Sequence, residues 1–309
     1  MSRAAWRSTS SHGKLPLVIL QQLVNGMTLG GIYALIALGY TLVYGILLMI
    51  NFAHSEIVML GAFVGWALLL WQPGAPVALV AVVAFAAVGL LGVLMERIAY
   101  RPLRRAPRLA PLISAIAVSL FLQNLVLLWS PSSQPFPDIF PVRVWKVGGA
   151  EITLLQVVVL MVSIGLMAGL HIFVNRTGVG RSMRAVAQDH EVAGLMGINV
   201  NGIIALTFFI GAGLGGVAGV LYGLYYHSIK YNMGFLPGIK AFTAAVLGGI
   251  GNVPGAMLGG FLLGILEAMG AGLIPGGSEW KDVLAFGILI LVLIVRPSGL
   301  LGERVTEKV

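Results

Sequence analysis

The sequence predicts an all-α, polytopic transmembrane helical bundle of about eight spans, with one or two broken or re-entrant elements. Three observations predict it. First, 58% of the 309 residues are hydrophobic and only 10% are charged, against roughly 25% charged in an ordinary soluble domain. Second, the apolar residues fall in runs near the ~20 residues that carry a helix across a hydrocarbon layer. Third, the basic residues cluster between those runs, as they do where Lys- and Arg-rich loops stay on one side of a membrane. The whole chain, 1–309, reads as a single transmembrane domain.

The elements follow in order. The first run, 17–42, is followed by 43–54, still apolar but closed by Asn51-Phe52-Ala53-His54, which reads as a broken element. Runs at 55–71, 77–98, 110–130, 153–174, 203–226, 255–273 and 282–296 each read as a span. The run 239–250 is too short, and it ends in Gly248-Gly249-Ile250-Gly251-Asn252-Val253-Pro254-Gly255. Backbone N–H and C=O groups must be satisfied inside a bilayer, so this segment reads as a half-helix or re-entrant element packed against protein. The stretches 51–65 and 252–264 both read as Asn, a short irregular piece, then a Gly-rich apolar helix. That is a faint sign of two inverted halves.

Orientation comes from charge. The loop 97–108, the loop 175–201 and the tail after Val295 hold eleven of the 19 basic residues, which places all three in the cytoplasm. The Pro-rich loop 131–152 then lies outside. Counting back puts the N-terminus outside too, against the pull of Arg3, Arg7 and Lys14. Either the charge rule fails for this short tail, or 17–54 holds an extra crossing or re-entrant pass. No convincing cleavage site follows Leu15, and the apolar run is far longer than a signal peptide needs.

Composition also narrows the function. With no Cys, five scattered His and eleven acidic residues, there is little material for a metal cage, and no cofactor is expected. The net charge of +8 sits in loops, so a nucleic-acid partner is the weaker reading. No Gly-x-x-x-x-Gly-Lys-Ser/Thr phosphate loop occurs. No relay of acids and His lines the spans, and no Arg-rich sensor or carbonyl filter appears. The chain therefore reads as a transport subunit rather than an enzyme, driven by a separate motor docking from the cytoplasm. The competing readings are a self-sufficient carrier or channel for small neutral solutes, and a membrane-embedded enzyme, which would need a catalytic cluster that the spans lack.

Three features carry the functional reading. Gly211, Gly215, Gly219 and Gly223 recur every fourth residue and form one helical stripe where another helix approaches closely. They serve either a static seam or one that slides during transport. The stretch Asn51 to Glu56 places polar groups beside a span, where they are expensive. With Gly249, Asn252 and Pro254 it marks the broken helices of a translocation path, with Asn51, His54 and Glu56 as the residues of interest. The alternative is an interfacial turn in which Asn51 or Ser55 caps the next helix and Glu56 sits in its first turn. The cytoplasmic loop 176–201 has Met183, Ala187, Val192 and Leu195 near helical spacing, ended by Gly194 and Gly197. It reads as an amphipathic helix offering an apolar stripe to a soluble partner. Other polar groups are weaker candidates: Glu96 and Arg97 at a span end, Gln123 and Asn124 for helix–helix hydrogen bonding, Glu267 as a lone acid, and Tyr40 and Tyr44 one turn apart.

Blocks distributed along the chain resemble one family. They include Asn25 to Tyr40, Ile50 to Glu56, Glu96-Arg97-Ile98-Ala99-Tyr100-Arg101-Pro102-Leu103-Arg104, Leu112 to Ile116, 184–198, Lys240 to Gly251 and Arg296-Pro297-Ser298-Gly299-Leu300-Leu301-Gly302. The sequence resembles the LivH-type permeases of bacterial branched-chain amino acid ABC importers. The resemblance implies a multi-pass protein of the bacterial inner membrane, paired with a second homologous permease. It also implies two cytoplasmic ABC ATPases and a periplasmic substrate-binding protein. The 184–198 helix then looks like the coupling helix, with Arg181, Arg184, Ala187, Asp189, Glu191 and Gly197 as candidate contacts to the ATPase. Similar permeases move branched-chain or other neutral amino acids, amides or urea. Ser55 departs from the Gly expected in this family, which weakens any need for a positive φ in that turn.

Overall fold

The computed structural model describes residues 15–104, 106–107, 109–274, 276–296 and 298–302. Arg3, Arg7, Lys14, Arg105, Arg108, Arg304 and Lys308, used above for orientation, lie outside them. The element order is α1 (Leu15–Leu47), α2 (His54–Trp71), α3 (Val77–Met95), α4 (Leu109–Trp129), β1 (Gln134–Pro135), β2 (Val144–Val147), β3 (Ala150–Thr153), α5 (Leu154–Arg176), α6 (Gly178–Gln188), α7 (His190–Leu195), α8 (Val200–Tyr226), β4 (Ser228–Ile229), α9 (Phe235–Gly248), α10 (Val253–Leu273) and α11 (Gly277–Val295). Helical turns of wider and tighter pitch carry α3 on through Glu96–Tyr100 and Arg101–Leu103. The protein is a helical, multi-pass membrane protein.

All eight expected spans are helices. Seven are long and apolar enough to cross a membrane on their own. The eighth, α11, carries Glu279, Lys281 and Asp282 in its first turns, so its apolar part is shorter. At 14 residues and ~1.5 Å per residue, α9 extends only about 21 Å. It is the half-helix expected from 239–250, displaced toward the N-terminus.

Two contacts fix the direction of α1. Near its start, Gln21 exchanges hydrogen bonds with the Glu151 backbone, 3.0 Å to the carbonyl and 2.7 Å from the N–H. Near its end, the Ile46 carbonyl lies 2.9 Å from His190 Nε2. So α1 runs from the face bearing the β2–β3 hairpin to the basic face bearing α6 and α7. Its 33 residues form one helix, which rules out an extra crossing inside 15–47. The broken element expected over 43–54 is narrower: the helix continues to Leu47, and the break is confined to 48–53, opened by Leu48 at φ 51°.

The fold has an internal inverted symmetry. The main neighbour of α1 is α10, and that of α3 is α8. Exchanging α1, α2 and α3 for α8, α9 and α10 turns the first pair into the second. It also carries α2 on α8 into α9 on α1, and α2 on α3 into α9 on α10, all of which touch. Since α1 runs toward the basic face and α8 away from it, the halves are inverted. The expected match of 51–65 with 252–264 is thereby corrected: the counterpart of the break before α2 is the break before α9, residues 227–234. Gly-rich composition misled that match, because Asn252 opens the partner of α3, not of α2. At the centre, α1 and α8 are buried almost all round, while α4 is nearly all exposed, as expected for apolar helices that face protein and lipid respectively.

Candidate translocation path and coupling surface

The two broken elements meet. His54, the first residue of α2, touches Gly39 of α1 and Gly215 half-way along α8. Thus α2 begins deep inside the bundle rather than at its edge. The start of α9 is equally deep: a Cβ on Gly234 would overlap the Ser55 carbonyl, and one on Gly238 would overlap the Ser55 side chain. The two helices therefore present their N-termini, the positive ends of their dipoles, to the same interior level. Neither start has a side-chain cap. The alternative of an Asn51 or Ser55 cap is thus corrected. Ser55 Oγ donates to the Phe52 carbonyl at 2.7 Å, and Asn51 Oδ1 accepts from the Tyr100 hydroxyl at 2.6 Å.

The acids around this level are committed to partners to different degrees. Glu56 accepts from Ser119 of α4 at 3.1 Å through Oε1, while Oε2 and His54 Nε2 are buried without a partner among the described residues. Tyr40 meets the His54 ring edge-on at 4.7 Å. Glu267 is not the lone acid expected from the sequence. Lys240 Nζ of α9 lies 2.7 Å from Glu267 Oε1 and 2.6 Å from Asp282 Oδ1 of α11, and Tyr33 of α1 donates to Glu267 Oε2 at 3.0 Å. Both Lys240 and Glu267 are 4% exposed. Sequence reasoning missed this role of Lys240; the available signal was a single lysine inside an apolar run. Glu96 pairs with Arg104 rather than Arg97. Asn124 bonds its own helix at the Leu120 carbonyl.

Above α9, toward the hairpin face, a cavity of about 600 Å³ opens. Its wall combines Tyr222, Tyr226 and Lys230 with Gln123 of α4, and its apolar part includes Met233 and Phe235, Leu236 and Pro237 of the first turn of α9. This wall has one charged group, Lys230, among hydroxyl, amide and apolar groups, the mixed lining of a small-molecule site. The glycine stripe lies nearby but serves no single helix. Gly211 meets Gly39 of α1, Gly215 and Gly219 meet α2, and Gly223 meets Phe136 and Ile229.

On the basic face, the single helix expected over 184–198 is two helices broken at Asp189. Extended backbone there (φ −160°, ψ 118°) ends α6, and its Oδ1 accepts from the Glu191 and Val192 N–H groups at 2.8 and 3.0 Å to start α7. These bonds hold the Asp189 carboxyl below its ordinary pKa, the Val192 contribution being the larger. The loop begins with a second cap, Gly180 N–H to Thr177 Oγ1 at 3.0 Å. It ends at Gly197 (φ 81°), with Ile198 N–H to the Ala193 carbonyl and Gly197 N–H to that of Gly194, the αL ending that favours glycine. Of the expected apolar stripe, Met183 points inward with Val186 and Ala193, whereas Ala187, Val192 and Leu195 face out. Leu195 is 87% exposed and Met196 78%. Arg181, Asp189 and Glu191 are exposed around them, and Arg184 donates to the Val174 carbonyl.

Gly249, Asn252 and Pro254 also lie on the basic face. Pro254 sits in the first turn of α10, where its missing N–H costs nothing. Asn252 caps that helix, its Oδ1 accepting from Gly255 N–H at 2.9 Å. The segment 298–302 folds back beneath α9. Leu300 and Leu301 donate N–H groups to the Leu247 and Gly248 carbonyls, each at 2.9 Å. Asn252 Nδ2 donates to the Leu301 carbonyl at 2.9 Å. Gly249, at φ 108°, lies so near Gly302 that a Cβ would collide with its backbone.

The family described as branched-chain amino acid transport system, permease component, matches residues 22–293. The chain is 51% identical over 302 residues to the high-affinity branched-chain amino acid transport system permease protein BraD of Pseudomonas aeruginosa, covering 94% of this chain and 98% of that one. It is 48% identical over 306 residues to the permease protein LivH of the same kind of system in Escherichia coli, covering 95% and 98%. A shorter similarity, 31% over 147 residues and 41% of each chain, joins it to the probable branched-chain amino acid transport permease protein LivM of Methanocaldococcus jannaschii.

Proposed function

The chain belongs to the branched-chain amino acid transport system permease family, and from that premise we propose that it is the membrane-spanning subunit of an ATP-driven importer of branched-chain amino acids. It works in the bacterial inner membrane beside a second, related permease. Two cytoplasmic ATPases drive it, and a periplasmic binding protein delivers substrate to the hairpin face. The names of the relatives support the substrate, and the similarity to a second permease type supports the pairing.

One observation carries the coupling role. The basic face presents Ala187, Val192, Leu195 and Met196 outward on two short helices that are capped, closed by an αL turn and anchored by Met183, Val186 and Ala193. A rigid scaffold holding exposed apolar groups among Arg181, Asp189 and Glu191 suits a protein partner better than lipid, which favours a basic face opposite bulky apolar residues. Substrate enters through the cavity beside Lys230 and passes the level where α2 and α9 begin. His54 and Glu56 lie at that level, and the apolar surroundings suit an aliphatic side chain.

The test is reconstitution. Proteoliposomes holding both permeases and the ATPases should take up leucine only with ATP and loaded binding protein. Leu195→Asp with Met196→Asp should leave this subunit folded but release the ATPase on purification. Leucine flux through liposomes containing this chain alone would overturn the proposal in favour of a self-sufficient carrier.

A further inference from the structure

We propose that Asn252 is a positioning residue for energy coupling: with the segment 298–302 it forms a joint that makes the half-helix α9 follow the coupling helices α6 and α7. The inference rests on the importer reading above.

The last carbonyls of a helix have no partner within it, and at α9 a remote part of the chain supplies them. Leu300 and Leu301 N–H groups close Leu247 and Gly248 at 2.9 Å. A short strap thus completes α9 as one more turn would, without belonging to it. Asn252 ties the strap to the next helix with both ends of one amide. Oδ1 caps α10 at Gly255, and Nδ2 holds the Leu301 carbonyl at 2.9 Å.

The joint reaches the coupling surface through contiguous groups. Gly251, one residue before Asn252, packs on Gly45 of α1. Gly45 and Ile46 share a small groove with Met183, Arg184 and Ala187 of α6 and with Gly251 and Val253. His190, the first residue of α7, sits 2.9 Å from the Ile46 carbonyl. At its other end α9 meets Ser55 deep in the bundle. Movement of α6 and α7 therefore has a direct mechanical route to the half-helix beside the path. The strap makes α9 and the start of α10 one body at the basic face.

The donor and acceptor roles of Asn252 can be separated. Asp serves as a helix N-cap as well as Asn does, so Asn252→Asp keeps the cap on α10 but removes the Nδ2 donor and sets a carboxylate against the Leu301 carbonyl. Asn252→Ser likewise keeps a capping oxygen and removes the Nδ2 amide donor to the Leu301 carbonyl. In proteoliposomes of the full complex, both variants should assemble and unfold thermally like the parent. They should hydrolyse at least threefold more ATP per leucine imported. Gly302→Val, whose Cβ would strike the Ser298 carbonyl and so distort the strap itself, should do the same. A parental ratio in stable Asn252→Asp and Asn252→Ser complexes overturns the joint. So does a loss of assembly in both, which would make the contact only structural. A parental complex that imports no leucine overturns the importer reading instead.

Discussion

Lys240 and Glu267 are joined at 2.7 Å between α9 and α10, both buried. Asp282 shares the same ammonium at 2.6 Å, so one cation serves two carboxylates. Breaking a buried pair by removing one partner strands the other charge and costs about 3–5 kcal/mol. Lys240→Met takes the shared cation from both carboxylates, leaving Glu267 with only the Tyr33 hydroxyl, and should be the most damaging single change in this cluster. Glu267→Gln leaves the Lys240–Asp282 pair and should cost less. Thermal unfolding of the purified protein in detergent should rank parent above Glu267→Gln above Lys240→Met, and Lys240→Met with Glu267→Gln should recover part of the loss.

The starts of α2 and α9 interlock at Ser55 and Gly238. A Cβ on Gly238 would overlap the Ser55 Cβ, so Gly238→Ala should destabilise by about 1–3 kcal/mol. Ser55→Gly removes the obstructing atom. The double variant should regain part of the stability, with a coupling of roughly 0.5–3 kcal/mol as for residues in contact. A thermal double-mutant cycle measures it.

Glycines of one type should respond oppositely by position. A Cβ on Gly219 would strike the Val58 carbonyl of α2, whereas Gly165 in α5 has nothing within 4 Å. Gly219→Ala should lower the unfolding temperature. Gly165→Ala should leave it or raise it, since alanine is favoured over glycine in a helix by roughly 0.5–1 kcal/mol.

The cap on α7 should be pH-dependent. Asp189 has its carboxyl held low by the Val192 and Glu191 N–H groups. A depressed folded-state pKa means the contribution is present above the ordinary carboxylate pKa of ~3.9 and is lost as pH falls through the lower folded value. Hydrogen exchange at Glu191 and Val192, corrected for intrinsic rates, should lose protection as pH drops below about 4. The substitution Asp189→Asn should keep the cap and remove that dependence, because an uncharged amide caps as well as a carboxylate does.

Much of the fold was legible because membrane spans are written in composition and run length. The spanning helices from α2 to α11 follow the apolar runs, and α9 was readable as a half-helix from its length and its Gly-Asn-Pro ending. The site was less legible. Lys240, Glu267 and Asp282 meet only because α9, α10 and α11 pack together, and no spacing along the chain encodes that. The break at Asp189 escaped the periodicity because α6 and α7 are each too short to show a phase change. Asp189 stands in the sequence as a candidate ATPase contact, and its role as a cap depends on local backbone geometry. The pairing of the two breaks escaped because inverted halves share shape and not residue order: Asn51 has its counterpart near 227–234, not at Asn252.

The closure of α9 by residues 300 and 301 also has a consequence in time. The carbonyls of Leu247 and Gly248 are synthesised more than fifty residues before the N–H groups that satisfy them. At ~5–20 residues per second this leaves them without those partners for roughly 3–10 s. The C-terminal end of the half-helix is therefore closed only after α10 and α11 have been made, and a ribosome stalled within α11 would leave those two carbonyls without these partners.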